Sequence, residues 1–114
     1  MANIYDTANQ MATDLKASQQ YQDLKKSYDL LKLDAVGYAL FQQFQEKQMG
    51  LQQQQMQGQE LSNDDLADLQ ALGEKMQTID TIKDLLAKEQ ALSQMMDELN
   101  RTIAQPIMEI YQGS

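Results

Sequence analysis

The stretch Ile82-Lys83-Asp84-Leu85-Leu86-Ala87-Lys88-Glu89-Gln90-Ala91-Leu92-Ser93-Gln94-Met95-Met96-Asp97-Glu98-Leu99-Asn100-Arg101-Thr102-Ile103 decides the fold. Leu85, Leu92 and Leu99 repeat by seven. So do Ile82, Met96, Ile103 and Ile110, with Glu89 interrupting their row. A seven-residue apolar repeat lays its side chains along one side of an α-helix that seats against other helices. A half-buried strand would alternate at every second residue, and no stretch of useful length does so. Downstream, Pro106 lacks an amide hydrogen and clashes with the carbonyl one turn back, which predicts a kink or restart there. Ile107, Met108, Ile110 and Tyr111 make the last segment strongly apolar, so it is expected to dock within the subunit or on a partner. The class is all-α.

Working back toward the N-terminus, start and stop signals divide the remainder. Ser62-Asn63-Asp64-Asp65 has the S-x-x-D form of a capped helix start, with acids where the helix dipole favours them. Leu66, Leu69, Leu72 and Met76 follow at spacings of three and four, and Thr78-Ile79-Asp80-Thr81 permits a break before the long helix. Asp34 caps a helix with the stripe Val36, Leu40, Phe41, Phe44 and Leu51, ending near Gln57 with Gly58 as a left-handed C-terminal residue. Ser18 caps a helix over about 19–32 with the stripe Tyr21, Leu24, Tyr28 and Leu31. A first helix over about 3–17 aligns Ile4, Ala8, Met11, Ala12 and Leu15. These signals predict an antiparallel bundle of four to five helices with a long, Pro-kinked C-terminal helix. Residues 1–114 form a single helical domain in this reading.

Composition excludes much chemistry. The 114 residues include twenty Gln and eight Met but no His and no Cys. Imidazole bases, thiol nucleophiles and zinc sites of the N/S type are therefore absent, and no phosphate-cradling glycine motif occurs. No cofactor and no metal are expected. Carboxylates recur at helical spacing, as in Asp64 with Asp68 and Asp80 with Asp84. Asp84 also precedes Lys88 by four, and Asp97 precedes Arg101 by four, the stabilising order on a solvated helix face. A net charge of −8 opposes direct nucleic-acid binding. No apolar run approaches a membrane span, and the N-terminus shows no secretory pattern, so a cytoplasmic location is expected.

Met49 and Met56 stand one heptad apart around the run Gln52-Gln53-Gln54-Gln55. A polar helix face explains that run, and an interhelical glutamine ladder at a subunit contact is the sharper alternative. The apolar length of Leu85, Leu92, Met96, Leu99 and Ile103 exceeds what a short partner helix covers. Together with Met49 and Met56 these residues are the expected interaction surface, closed by a two-fold homodimer. The functional expectation is a non-enzymatic interaction or regulatory protein acting as a homodimeric adaptor, with a possible protein partner. The alternative is an enzyme or ligand-binding protein that uses carboxylates, Tyr and Gln in an interhelical pocket.

The order of segments also resembles a family. Ile4-Tyr5-Asp6, Leu24-Lys25 with Tyr28, Leu40-Phe41 and Phe44 open the resemblance. Leu51-Gln52-Gln53-Gln54-Gln55-Met56 with Gly58 and Glu60 continues it. Glu89-Gln90, Ser93, Leu99-Asn100, Ile103, Pro106, Glu109 and Tyr111 complete it. The set resembles the YheA family of small helical bacterial proteins, related to the YmcA/YlbF group of Gram-positive bacteria. The resemblance implies long antiparallel helices, self-association and a cytoplasmic location, and it transfers no catalytic residues. The YmcA/YlbF relatives are regulators that assemble with a third partner and affect competence, biofilm formation, sporulation and RNase Y-dependent RNA maturation. Their complex is linked to cysteine-held iron–sulfur clusters. A chain without cysteine does not carry that cofactor over.

Overall fold

The computed structural model describes residues 3–113; Met1, Ala2 and Ser114 lie outside them. Five helices account for the described fold: α1 (Ile4–Ala17), α2 (Gln19–Leu33), α3 (Ala35–Met56), α4 (Asn63–Met76) and α5 (Asp80–Tyr111). No strand occurs among the described residues, so the fold is all-α.

The helix ends follow their local chemistry. Asn3 opens α1 by accepting the Tyr5 amide at 2.8 Å. Ser18 serves two helices: its hydroxyl donates to the Leu15 carbonyl at 2.6 Å and accepts from the Tyr21 amide at 3.2 Å. Asp34 caps α3 through the Gly37 amide at 3.1 Å. The α3 helix stops before Gly58, whose φ of +82° is a left-handed conformation open to glycine at little steric cost. At α4 the box closes reciprocally. The Asp65 amide donates to the Ser62 hydroxyl at 3.0 Å, and the Ser62 amide donates to the Asp65 carboxylate at 3.4 Å. The chain breaks at 77–79 and resumes as α5, where the β-branched residues and caps allow it. Helix α5 then passes through Pro106 without restarting. Pro106 brings no amide to pair the Thr102 carbonyl one turn back, and residue 102 lies on the exposed side of the helix.

Two compact units share these helices: a central unit, Lys26–Leu86, and a terminal unit made, among the described residues, of 3–25 with 87–113. The central unit has a core of Leu31, Phe41, Leu51, Leu72, Met76, Ile82 and Leu85, of which Leu31 and Ile82 are fully enclosed. Each fully buried side chain of this size stabilises by about 1.5–3 kcal/mol relative to exposure. Tyr28 stands edge-on to Tyr38 and Phe41, with ring centroids 6.2 and 6.5 Å apart. Helices α3 and α4 run antiparallel, pinned by Lys47, whose ammonium lies 3.2 Å from Asp65 and 3.8 Å from Asp68. Two hydrogen bonds distant in sequence tie the start of α5 into this unit. Ser27 donates to Asp84 at 2.5 Å, and Thr81 donates to Asp34 at 2.7 Å. A Cβ at Gly37 would lie 2.7 Å from the Asp34 carboxylate, so only glycine lets α3 begin this close to that bond.

In the terminal unit, no described residue is buried. Met11, Leu15, Tyr21, Leu24, Leu92, Met95 and Leu99 are half-buried. Several residues read as stripe members are exposed instead, among them Ile4 at 76%, Val36 at 75% and Leu66 at 49%, with Ala8 and Ala12 exposed beside Ile4. Periodicity fixes the direction of a side chain, whereas burial also requires an element opposite it. Ile110 and Tyr111 are likewise exposed, so the apolar C-terminal segment is not covered by other described residues.

Candidate interaction surface

The ionisable groups of the central unit serve its joints. The Gly37 amide, followed by the Thr81 hydroxyl, holds the Asp34 carboxyl below the usual aspartate value. The hydrogen bond from Ser62 and then that from Lys47 do the same for Asp65. Carboxyls lowered in this way stay ionised at neutral pH and are poor proton donors. The hydrogen bond with Tyr38 raises the Tyr28 phenol, and burial adds to it. Between α3 and α4 runs a groove of about 610 Å³ lined by Gln43, Glu46, Lys47, Asp68, Leu72 and Lys75. Lys47 is already engaged there by Asp65 and Asp68. Among the described residues, no group of three or more Asp or Glu is placed to hold a metal ion.

The residues expected at an interface separate into three environments. Leu85, 1% exposed, belongs to the core of the central unit. Leu92 and Leu99 are half-buried in the terminal unit. Met96 and Ile103 are exposed at 36% and 57%. Ile107 and Ile110 extend that exposed row, and only Ile110 belongs to the heptad rows counted in the sequence. The steps 96→103→107→110 keep the four side chains within about 60° of the helix surface at 100° per residue. The half-buried set of Leu92, Met95 and Leu99 lies on the adjoining side. The apolar arc of α5 is therefore wider than the part its own unit covers. Glu89 interrupts the exposed row, and partial burial raises its carboxyl above the usual glutamate value.

Met49 and Met56 occupy a separate surface. They lie on the side of α3 opposite the buried Leu51, at 69% and 87% exposed. A shallow groove of about 480 Å³ runs past Glu46, Met49, Gly50, Gln52, Gln53 and Met56. No described helix is long and apolar enough to cross a membrane.

Relatives match this chain along almost its whole length. A UPF0342 protein of Lacticaseibacillus casei (strain BL23) is 63% identical over 113 residues, covering 99% of each chain. One of Lactiplantibacillus plantarum (strain ATCC BAA-793 / NCIMB 8826 / WCFS1) is 42% identical over 97% of each. The solved structure titled "Protein of Unknown Function (DUF964) from Bacillus stearothermophilus" superposes with a TM-score of 0.87 at 25% identity, over 95% of each chain. The family model described as "Control of competence regulator ComK, YlbF/YmcA" matches residues 4–108. With that match spanning the five helices nearly end to end, the chain belongs to the YlbF/YmcA family.

Proposed function

We propose that this protein is a non-enzymatic helical regulator that acts through protein contacts as a cytoplasmic homodimer, with the second half of α5 as the subunit contact. The observation that carries this reading is the row Met96, Ile103, Ile107 and Ile110, exposed at 36%, 57%, 59% and 74%. Scattered apolar residues on a surface need no explanation, whereas an aligned row on one helix marks a contact. A second copy supplies the same row, and a two-fold axis lets one patch satisfy both subunits. Membership of a family described by its control of a competence regulator supports a regulatory role. Any link to nucleic acid then runs through a protein partner, because a chain of net charge −8 offers few phosphate contacts.

Light scattering on the size-fractionated protein tests this. Ile103→Asp places a charge on the exposed row and leaves the central core untouched. The wild-type chain is expected at dimer mass at tens of micromolar, and the variant at monomer mass with its helical circular dichroism retained. A wild-type monomer at that concentration, or a variant that stays dimeric, refutes the α5 contact.

A further inference from the structure

We propose that Met49 and Met56 form a reversible oxidation site on α3. The chain has eight methionines and no cysteine, so thioethers are its only oxidisable sulfur. Their surroundings differ widely. Met76 sits in the central core at 3% exposure, whereas Met49 and Met56 stand at 69% and 87% on the solvent side of their helix. That side is otherwise polar, with Glu46, Gln52 and Gln53 along the same groove. Neither methionine belongs to the core, because this side of α3 faces away from the buried Leu51. Around Gly50 the surface is also open: a Cβ built there meets nothing within 4 Å.

The chemistry is a two-electron transfer to a peroxide. A sulfur lone pair attacks one peroxide oxygen, the O–O bond breaks, and the departing hydroxide leaves as water after taking up a proton. Sulfur is oxidised to the sulfoxide and the peroxide is reduced. Methionine sulfoxide reductases reverse the step: the oxygen leaves as water while two thiols of the reductant become a disulfide. The product is polar, and the side-chain amides of Gln52 and Gln53 supply the class of N–H donor that a sulfoxide accepts. Oxidation on this face turns an apolar patch polar and leaves the core intact.

Dilute hydrogen peroxide on the intact native chain, followed by peptide mass mapping over time, tests the site. Met49 and Met56 should gain oxygen at least about fivefold faster than Met76, following exposure. Helical circular dichroism should persist, and the two sulfoxide reductases, one for each epimer, should restore the original mass. The double variant Met49→Leu with Met56→Leu should lose oxygen uptake in the α3 peptides alone, while Met96 and Met108, exposed at 36% and 45%, keep their own rates. Oxidation no faster than at Met76, loss of helicity with the first oxygens, or failure of the reductases would each overturn the proposal. So would protection of both residues at concentrations where the chain self-associates, which would assign them to a subunit contact.

Discussion

The central and terminal units use the same vocabulary, Leu, Ile and Met at spacings of three and four, and reach different outcomes. In the central unit, four helical segments supply neighbours on several sides, and Leu31, Ile82 and Leu85 are enclosed at 0–1% exposure. In the terminal unit, comparable residues such as Leu92 and Leu99 stay half-buried, and Met96 and Ile103 are exposed. The difference lies in the number of elements available to cover each stripe. Polar joints follow the same division: Ser27 with Asp84, Asp34 with Thr81 and Lys47 with Asp65 all lie in the central unit. One unit is internally complete, and the other carries apolar surface in excess of its own cover.

The sharpest way to break this comparison is truncation in each unit. Leu31→Ala should lower the unfolding free energy by about 2–5 kcal/mol, the cost of a cavity at an enclosed leucine. Met96→Ala should cost less than about 1 kcal/mol in dilute monomer, where the side chain is largely solvated. Urea titrations that give equal losses would erase the distinction. A smaller effect belongs to Ser62→Ala, which removes the side-chain acceptor at the start of α4 and should cost about 1 kcal/mol. Its amide exchange should accelerate first at 64–66.

Acid separates the units by sign. Asp34 and Asp65 have lowered carboxyls in the folded state, so their stabilisation is complete above the unfolded aspartate value of about 3.9 and is lost as pH falls through the folded values. Glu89 in the terminal unit has a raised carboxyl, so its protonation favours the folded state as pH falls through that raised value. Urea midpoints between pH 7 and pH 3 should decline for wild type. A variant with Asp34→Asn and Asp65→Asn should start lower at pH 7 and decline less. Identical slopes would remove these two joints from the account of acid stability.

Much of this architecture is legible in the residues. The capping box at Ser62 and Asp65, the Asp34 cap, the dual role of Ser18 and the positive φ of Gly58 are local, and local chemistry determines them. What lies opposite a helix is not local. Ile82 and Met96 share one heptad row, yet the first is enclosed and the second exposed, because the central unit covers only the start of α5. Asp84 pairs by sequence with Lys88 four residues on, and nothing in that spacing announces Ser27, fifty-seven residues earlier. The exposed row proposed as the contact is half legible for the same reason. Met96 and Ile103 follow from the heptad, whereas Ile107 joins the row only once the uncovered side of α5 is known.

Hydrogen exchange measured by mass spectrometry across a range of protein concentrations tests the central claim most directly. A unit with its own core keeps its protection on dilution, and one completed by a second copy does not. Amides at 92–108 should gain protection as concentration rises from about one to about one hundred micromolar, spanning the affinities of modest self-association. Those around Leu31, Phe41 and Leu72 should stay constant over the same range. Concentration-independent protection at 92–108, matching that of the central unit, would contradict the account.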